Sequence, residues 1–219
     1  MQITVTLVIV VVTVVVSMLA FNNNALMARL LFDPIRITNN QQYYRFITSG
    51  FVHADIAHLA FNMLSLYMFG DYVELVFVKI FGSSGQLLYG LMYLLALIVS
   101  LIPTYIKNKH NQYYLGLGAS GAVSAVVFAG LLLVPTLLIG LYFLPPIIPG
   151  FIFGPLYLLI STYLAKKGGG NINHSAHIWG ALFGLVFVIV ASYTLAQYDV
   201  LGNCIFDIKT YLISKGILH

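Results

Sequence analysis

A serine set among small residues, Gly118-Ala119-Ser120-Gly121, and a histidine followed by spaced glycines, Ala176-His177-x-x-Gly180-x-x-x-Gly184, are the residues of this chain best suited to chemistry. A serine hydroxyl becomes a nucleophile when an imidazole takes its proton, so the pair would carry acyl transfer. Such a reaction needs donors aimed where an oxyanion develops. His58 and Asn62, four residues apart and so on one helix face, supply an imidazole and an amide, and the Ser120 backbone N–H joins them if Ser120 opens a helix. Asp71 and Glu74 are the only acids inside the long apolar segments. Glu74 lies twelve residues beyond Asn62, roughly 18 Å along a helix, where packing or capping is expected rather than catalysis. The expected site is therefore a Ser–His dyad with no carboxylate as third member.

The elements that must hold these residues are set by composition. Of the 219 residues 60% are hydrophobic and only 7% charged, and the mean hydropathy is +0.95, values that exclude an ordinary soluble domain. About 20 apolar residues cross a bilayer as helix. Six such stretches are expected, at 3–21, 56–77, 86–106, 119–137, 147–165 and 177–197. The first has no basic segment before it and is long for a secretory signal, so it is expected to remain as a span. The one cysteine, Cys204, forms no internal disulfide and no Cys-based metal motif.

Spans two, four and six begin on one side of the bilayer by parity. His58 and Asn62, Ser120, and His177 thus share one depth, where polar groups facing lipid would be costly. Gly121, Ala125 and Ala129 on span four, and Gly180 and Gly184 on span six, form small-residue faces that let backbones approach. At that approach the Ser120 hydroxyl is expected to reach an imidazole nitrogen at about 2.6–3.2 Å.

The polar stretch from Asn22 to Asp55 is too long for a simple connector. It reads as a surface loop or as an amphipathic structure at the membrane interface, where Phe32, Ile35, Tyr43, Tyr44 and Phe46 would sit at headgroup level. The other connectors are short, and no internal repeat or second domain is visible, so residues 1–219 read as one all-α transmembrane domain with a short tail, 198–219, that could be a surface helix. The sequence pI of about 9.1 comes from ten scattered cations, which suits anionic lipid headgroups and not nucleic acid.

Taken jointly, Tyr44-Arg45, His53-x4-His58-x3-Asn62, Gly118-Ala119-Ser120-Gly121 and Ala176-His177-x2-Gly180-x3-Gly184 resemble the rhomboid family of intramembrane serine proteases over nearly the whole chain. The resemblance implies a six-helix bundle, Ser120 as nucleophile, His177 as general base and then acid, and an oxyanion hole of His58, Asn62 and the Ser120 amide. Gly118, Gly121, Gly180 and Gly184 would support that geometry. It also implies transmembrane protein substrates that unwind before cleavage, admitted beside the fifth span and the loop before His177. No cofactor or metal is expected, and the location implied is the cell membrane, crossed several times.

This sequence departs from the family pattern in three ways. Ser124 stands four residues after Ser120, where an aromatic residue often stacks beneath the imidazole; a small residue is accommodated there if another ring fills the gap. Tyr44-Arg45 replaces the commoner Trp-Arg. Seven of the ten Lys and Arg fall in the loops after spans one, three and five, opposite to the side that the family orientation would make basic under the positive-inside rule. Rival readings are a metal site built from His53, His58, His174 and His177, a catalytically silent relative that binds membrane clients, and a transporter. The first lacks the H-E-x-x-H pattern and accompanying carboxylates, the second would not need both Ser120 and His177, and the third lacks a polar cluster at mid-membrane.

Overall fold

The computed structural model describes residues 3–140, 145–167 and 172–218. α1 (Val5–Phe21) begins at Thr4, whose side chain accepts the Leu7 N–H. Its polarity is inverted: Thr6, Thr13 and Ser17 are buried, while Val8, Val11, Val15 and Leu19 are exposed. A helix solvated by lipid has this pattern, because small polar residues pack between helices and aliphatic ones meet acyl chains.

The stretch expected as a loop or interfacial structure is folded into three short helices, α2 (Asn24–Leu30), α3 (Pro34–Asn40) and α4 (Arg45–Thr48), and a 3-10 turn at Ser49–Phe51. Its organiser is Arg45, 1% exposed. The guanidinium donates to Gln42 Oε1 at 2.7 Å and to the carbonyls of Ala28 and Leu31 at 3.1 and 2.6 Å, which satisfies the charge and ties α2 to α4. The aromatic residues divide. Tyr43 and Tyr44 are exposed, but Phe32 and Phe46 are buried with Ile37 against Ile98, Leu101 and Tyr105. Those two rings, expected at headgroup level, are core because the segment folds back onto its neighbouring helix.

That neighbour is α6 (Gly85–Asn108), which follows α5 (Ile56–Phe81) after one 3-10 turn. α7 (Ser120–Leu133) is shorter than the expected fourth segment, ending just before Pro135, whose ring disfavours helix in the residue before it. The Pro-rich connector contains a two-stranded antiparallel pair, β1 (Leu138–Ile139) and β2 (Ile148–Pro149), in register Leu138 to Pro149. α8 (Gly150–Lys167) and α9 (His174–Leu195) follow, and the tail forms α10 (Val200–Ser214), capped by Asp199, with Val200 buried.

α7 is central: eleven of its fourteen residues are buried, among them Ala122, Ala125, Val126 and Ala129 with no exposed surface. α5, α6 and α9 surround it, and α1 packs on the outer side of α5. There Glu74 does the capping expected of it. Its buried carboxylate accepts the Val5 and Thr6 N–H groups at 2.8 and 2.9 Å and the Thr6 hydroxyl at 2.9 Å, satisfying the free donors at the start of α1. By length and composition two stretches among the described residues can cross a membrane, Ile56–Asn108, which contains α5 and α6, and His174–Leu195.

Candidate active site

The contact of α7 with α9 is made backbone to backbone. A methyl group at Gly180 would collide with the carbonyl oxygen of Gly121, and one at Gly184 with that of Ala125. Gly121 in turn faces Ser100 of α6, and a methyl there would also lie 3.4 Å from the Ala176 carbonyl oxygen. The two small-residue faces read from the sequence therefore meet, and they bring the first residue of α7, Ser120, beside the first turn of α9, which contains His177. That turn is started by Asn173, whose side chain accepts the Ala176 N–H at 3.1 Å and is held by Thr104 of α6.

Gly118 is needed on two counts. Its φ of +107° is a conformation side chains rarely adopt, and an added Cβ would lie 2.8 Å from His58 Cε1 and 3.0 Å from Nε2. His58 thus faces the turn that leads into Ser120. Asn62, 2% exposed, donates through Nδ2 to the His58 carbonyl at 2.9 Å, which leaves its second N–H for another acceptor. Ser120 occupies the first position of α7, so its own N–H has no partner within that helix.

His53 fixes the same turn from behind. Its ring lies edge-on to His58 at 5.0 Å. The Ala119 N–H can only donate, so Nε2 accepts it at 3.4 Å; Nδ1 then carries the proton and donates to Ser17 Oγ at 3.0 Å, which itself donates to the Phe51 carbonyl. Burial, reinforced by the His58 imidazole and opposed by the Asp55 carboxylate, pushes the His53 pKa down to about 4, in keeping with this neutral ring.

One expected contact is not formed. No hydrogen bond joins Ser120 and His177 in this structure; the His177 ring is engaged through Nδ1 with the Tyr157 hydroxyl of α8 at 3.1 Å. Helix contact sets the backbones, whereas the ring rotates to the polar partner it can reach. The sequence singled out Ser124 but not the tyrosine that reaches the imidazole. Tyr157 sits in an apolar helix with no motif around it, and only the packing of α8 on α9 brings it to the imidazole. Of the loop before His177, residues Gly168, Gly169, Gly170 and Asn171 lie outside the described residues.

Among known families, the Rhomboid domain matches residues 40–194. The chain belongs to the rhomboid family. It is similar to RHOMBOID-like protein 12, mitochondrial, of Arabidopsis thaliana, 31% identical over 145 residues, which are 62% of this chain and 42% of that protein. It is likewise similar to the human Presenilin-associated rhomboid-like protein, mitochondrial, 31% identical over 148 residues, 65% of this chain and 36% of that protein. Rhomboid-like protein 11, chloroplastic, of Arabidopsis thaliana is 27% identical over 174 residues, 74% of this chain and 57% of that protein. The alignments thus span less than half of those two mitochondrial relatives. These names support a rhomboid membrane protein and lend no support to the cell membrane as its location.

Proposed function

We propose that this rhomboid protein is an intramembrane serine endopeptidase acting on transmembrane segments of other proteins. What supports the reading is the glycine contact, which no larger residue would permit, between α7, whose first residue is Ser120, and α9, whose first turn contains His177. His58 and Asn62 stand on the adjoining helix.

In the proposed reaction His177 Nε2 takes the Ser120 proton as Oγ attacks the scissile carbonyl. The developing oxyanion is stabilised by the Ser120 N–H, the His58 imidazole and the free Asn62 N–H. His177 then passes the proton to the leaving amine, and water hydrolyses the acyl-enzyme by the reverse sequence.

Six crossings by α1, α5, α6, α7, α8 and α9 belong to this proposal. Fourteen residues of helix span about 21 Å, less than the roughly 30 Å of the hydrocarbon core, so at least one end of α7 lies below the bilayer surface. Non-helical backbone at that depth is tolerated where protein surrounds it, and α7 is the most enclosed of these helices. A substrate helix must unwind to offer its peptide bond there, which Gly or Pro in the substrate makes less costly.

The test is labelling of the purified, detergent-solubilised protein with a fluorophosphonate. Modification of Ser120 is expected in the wild type and absent in Ser120→Ala and His177→Ala, with Asn62→Ala slowed by about 10²–10³ for a lost oxyanion donor. Equal labelling of wild type and His177→Ala would sink the dyad. The missing Ser120–His177 hydrogen bond favours one second reading, a silent relative that binds membrane clients, for which no labelling occurs in folded protein. A metal site has less behind it, since among the described residues no three His, Cys, Asp or Glu side chains come together.

A further inference from the structure

We propose, resting on the endopeptidase reading, that Tyr157 of α8 is the positioning residue of the dyad: its hydroxyl oxygen accepts the His177 Nδ1–H and so turns the Nε2 lone pair toward Ser120. A base that takes a serine proton at Nε2 must carry its own proton at Nδ1, and that proton needs an acceptor. Among the described residues the Tyr157 hydroxyl, at 3.1 Å, is the one side chain hydrogen-bonded to His177. His174, whose ring lies 6.0 Å from that of His177, does not serve, since its Nδ1 is buried with no partner.

The hydroxyl is itself held in place. The Tyr157 ring packs on Phe128 of α7 at 5.6 Å and on Phe153 at 5.9 Å. Ser161 stands one turn after Tyr157 on α8, and Ser124 one turn before Phe128 on α7, so each is a candidate acceptor for the proton of a Tyr157 that accepts from His177. This accounts for Ser124. A serine there is small and can offer an acceptor to that hydroxyl, which an aromatic hydrocarbon ring would not. The ring that backs the imidazole comes from α8 instead of α7.

A consequence concerns motion. Only Gly150, Gly154 and Ser161 of the eighteen residues of α8 are buried, while α9 is locked to α7 through glycines. Displacement of α8 by a substrate helix would therefore move Tyr157 relative to His177, so substrate access and base orientation are coupled through one hydrogen bond.

The experiment is 15N NMR of histidine-labelled protein in detergent, with His177 assigned from His177→Gln, together with fluorophosphonate kinetics on wild type and Tyr157→Phe. Phenylalanine keeps the ring against Phe128 and Phe153 and removes only the hydroxyl. The wild type is expected to show His177 as a single Nδ1–H tautomer and Tyr157→Phe a mixture, with the maximal labelling rate lowered about 3- to 10-fold, as for one neutral hydrogen bond, and probe affinity unchanged. A wild-type His177 protonated at Nε2, or a tautomer and labelling rate that Tyr157→Phe leaves unaltered, overturns the proposal. The tautomer reads Tyr157 even if Ser120 is not labelled in the wild type, the outcome that would instead overturn the endopeptidase reading.

Discussion

At His53 a single imidazole bridges α1, through Ser17, and the turn before Ser120, through the Ala119 N–H. The bridge needs Nε2 unprotonated, so acid attacks it directly. With the pKa at about 4 in the folded protein and 6.5 ordinarily, the unfolded chain binds more protons between those values. Stability contributed by the neutral ring is complete above 6.5, declines as the pH falls toward about 4, and changes no further below it. Asp55 and His58 face the same ring and shape this window. Thermal unfolding in detergent across that range should show a smaller loss of stability on acidification for His53→Gln, whose side-chain oxygen can accept the Ala119 N–H without titrating. An identical pH dependence in both proteins would remove His53 from the account.

Between elements, the α7–α9 contact depends on the absence of side chains. Gly180→Ala forces a methyl into the Gly121 carbonyl oxygen, and neither backbone can yield without moving a helix. Overpacking of this kind costs about 1–3 kcal/mol, and any separation of the helices carries His177 away from Ser120. Calorimetry in detergent should give a lower Tm for Gly180→Ala, and fluorophosphonate labelling should fall more than the change in stability alone explains. Gly90 is a control, since a Cβ there meets only Val5 Cγ1 at 3.4 Å. The small-residue spacing made this contact legible in the sequence, but the partner of each glycine was not, because spacing along one helix says nothing of which carbonyl lies opposite.

For the whole molecule, the proposed six crossings fix which connections share a side. In a Cys204→Ser background, single cysteines replacing Asn40 and His110 should react with a membrane-impermeant maleimide from one side of sealed vesicles, and those replacing Ser83 and Lys215 from the other. Asn40 and Ser83 reacting from the same side would remove the parity on which the depth of the site rests. The side that holds Asn40 and His110 also holds seven of the ten Lys and Arg, so the same experiment reads whether this protein obeys the positive-inside rule.

The sequence by itself determined the solvent and the positions of the long helices. Hydropathy is additive along the chain, and α1, α5, α6, α8 and α9 start within about three residues of the expected segments, which is the usual uncertainty of helix ends. It also placed Ser120, His177, His58 and Asn62 near the starts of three helices, since order and spacing are properties of the chain. Only the tertiary structure decided what each of these side chains touches. Phe32 and Phe46 became core because the first connection folds onto α6, the Asn62 amide is shared with its own helix, and His177 turned to a tyrosine from α8. Hydrogen-bond partners depend on distances of a few tenths of an ångström between residues far apart in sequence, and periodicity along the chain does not record such distances.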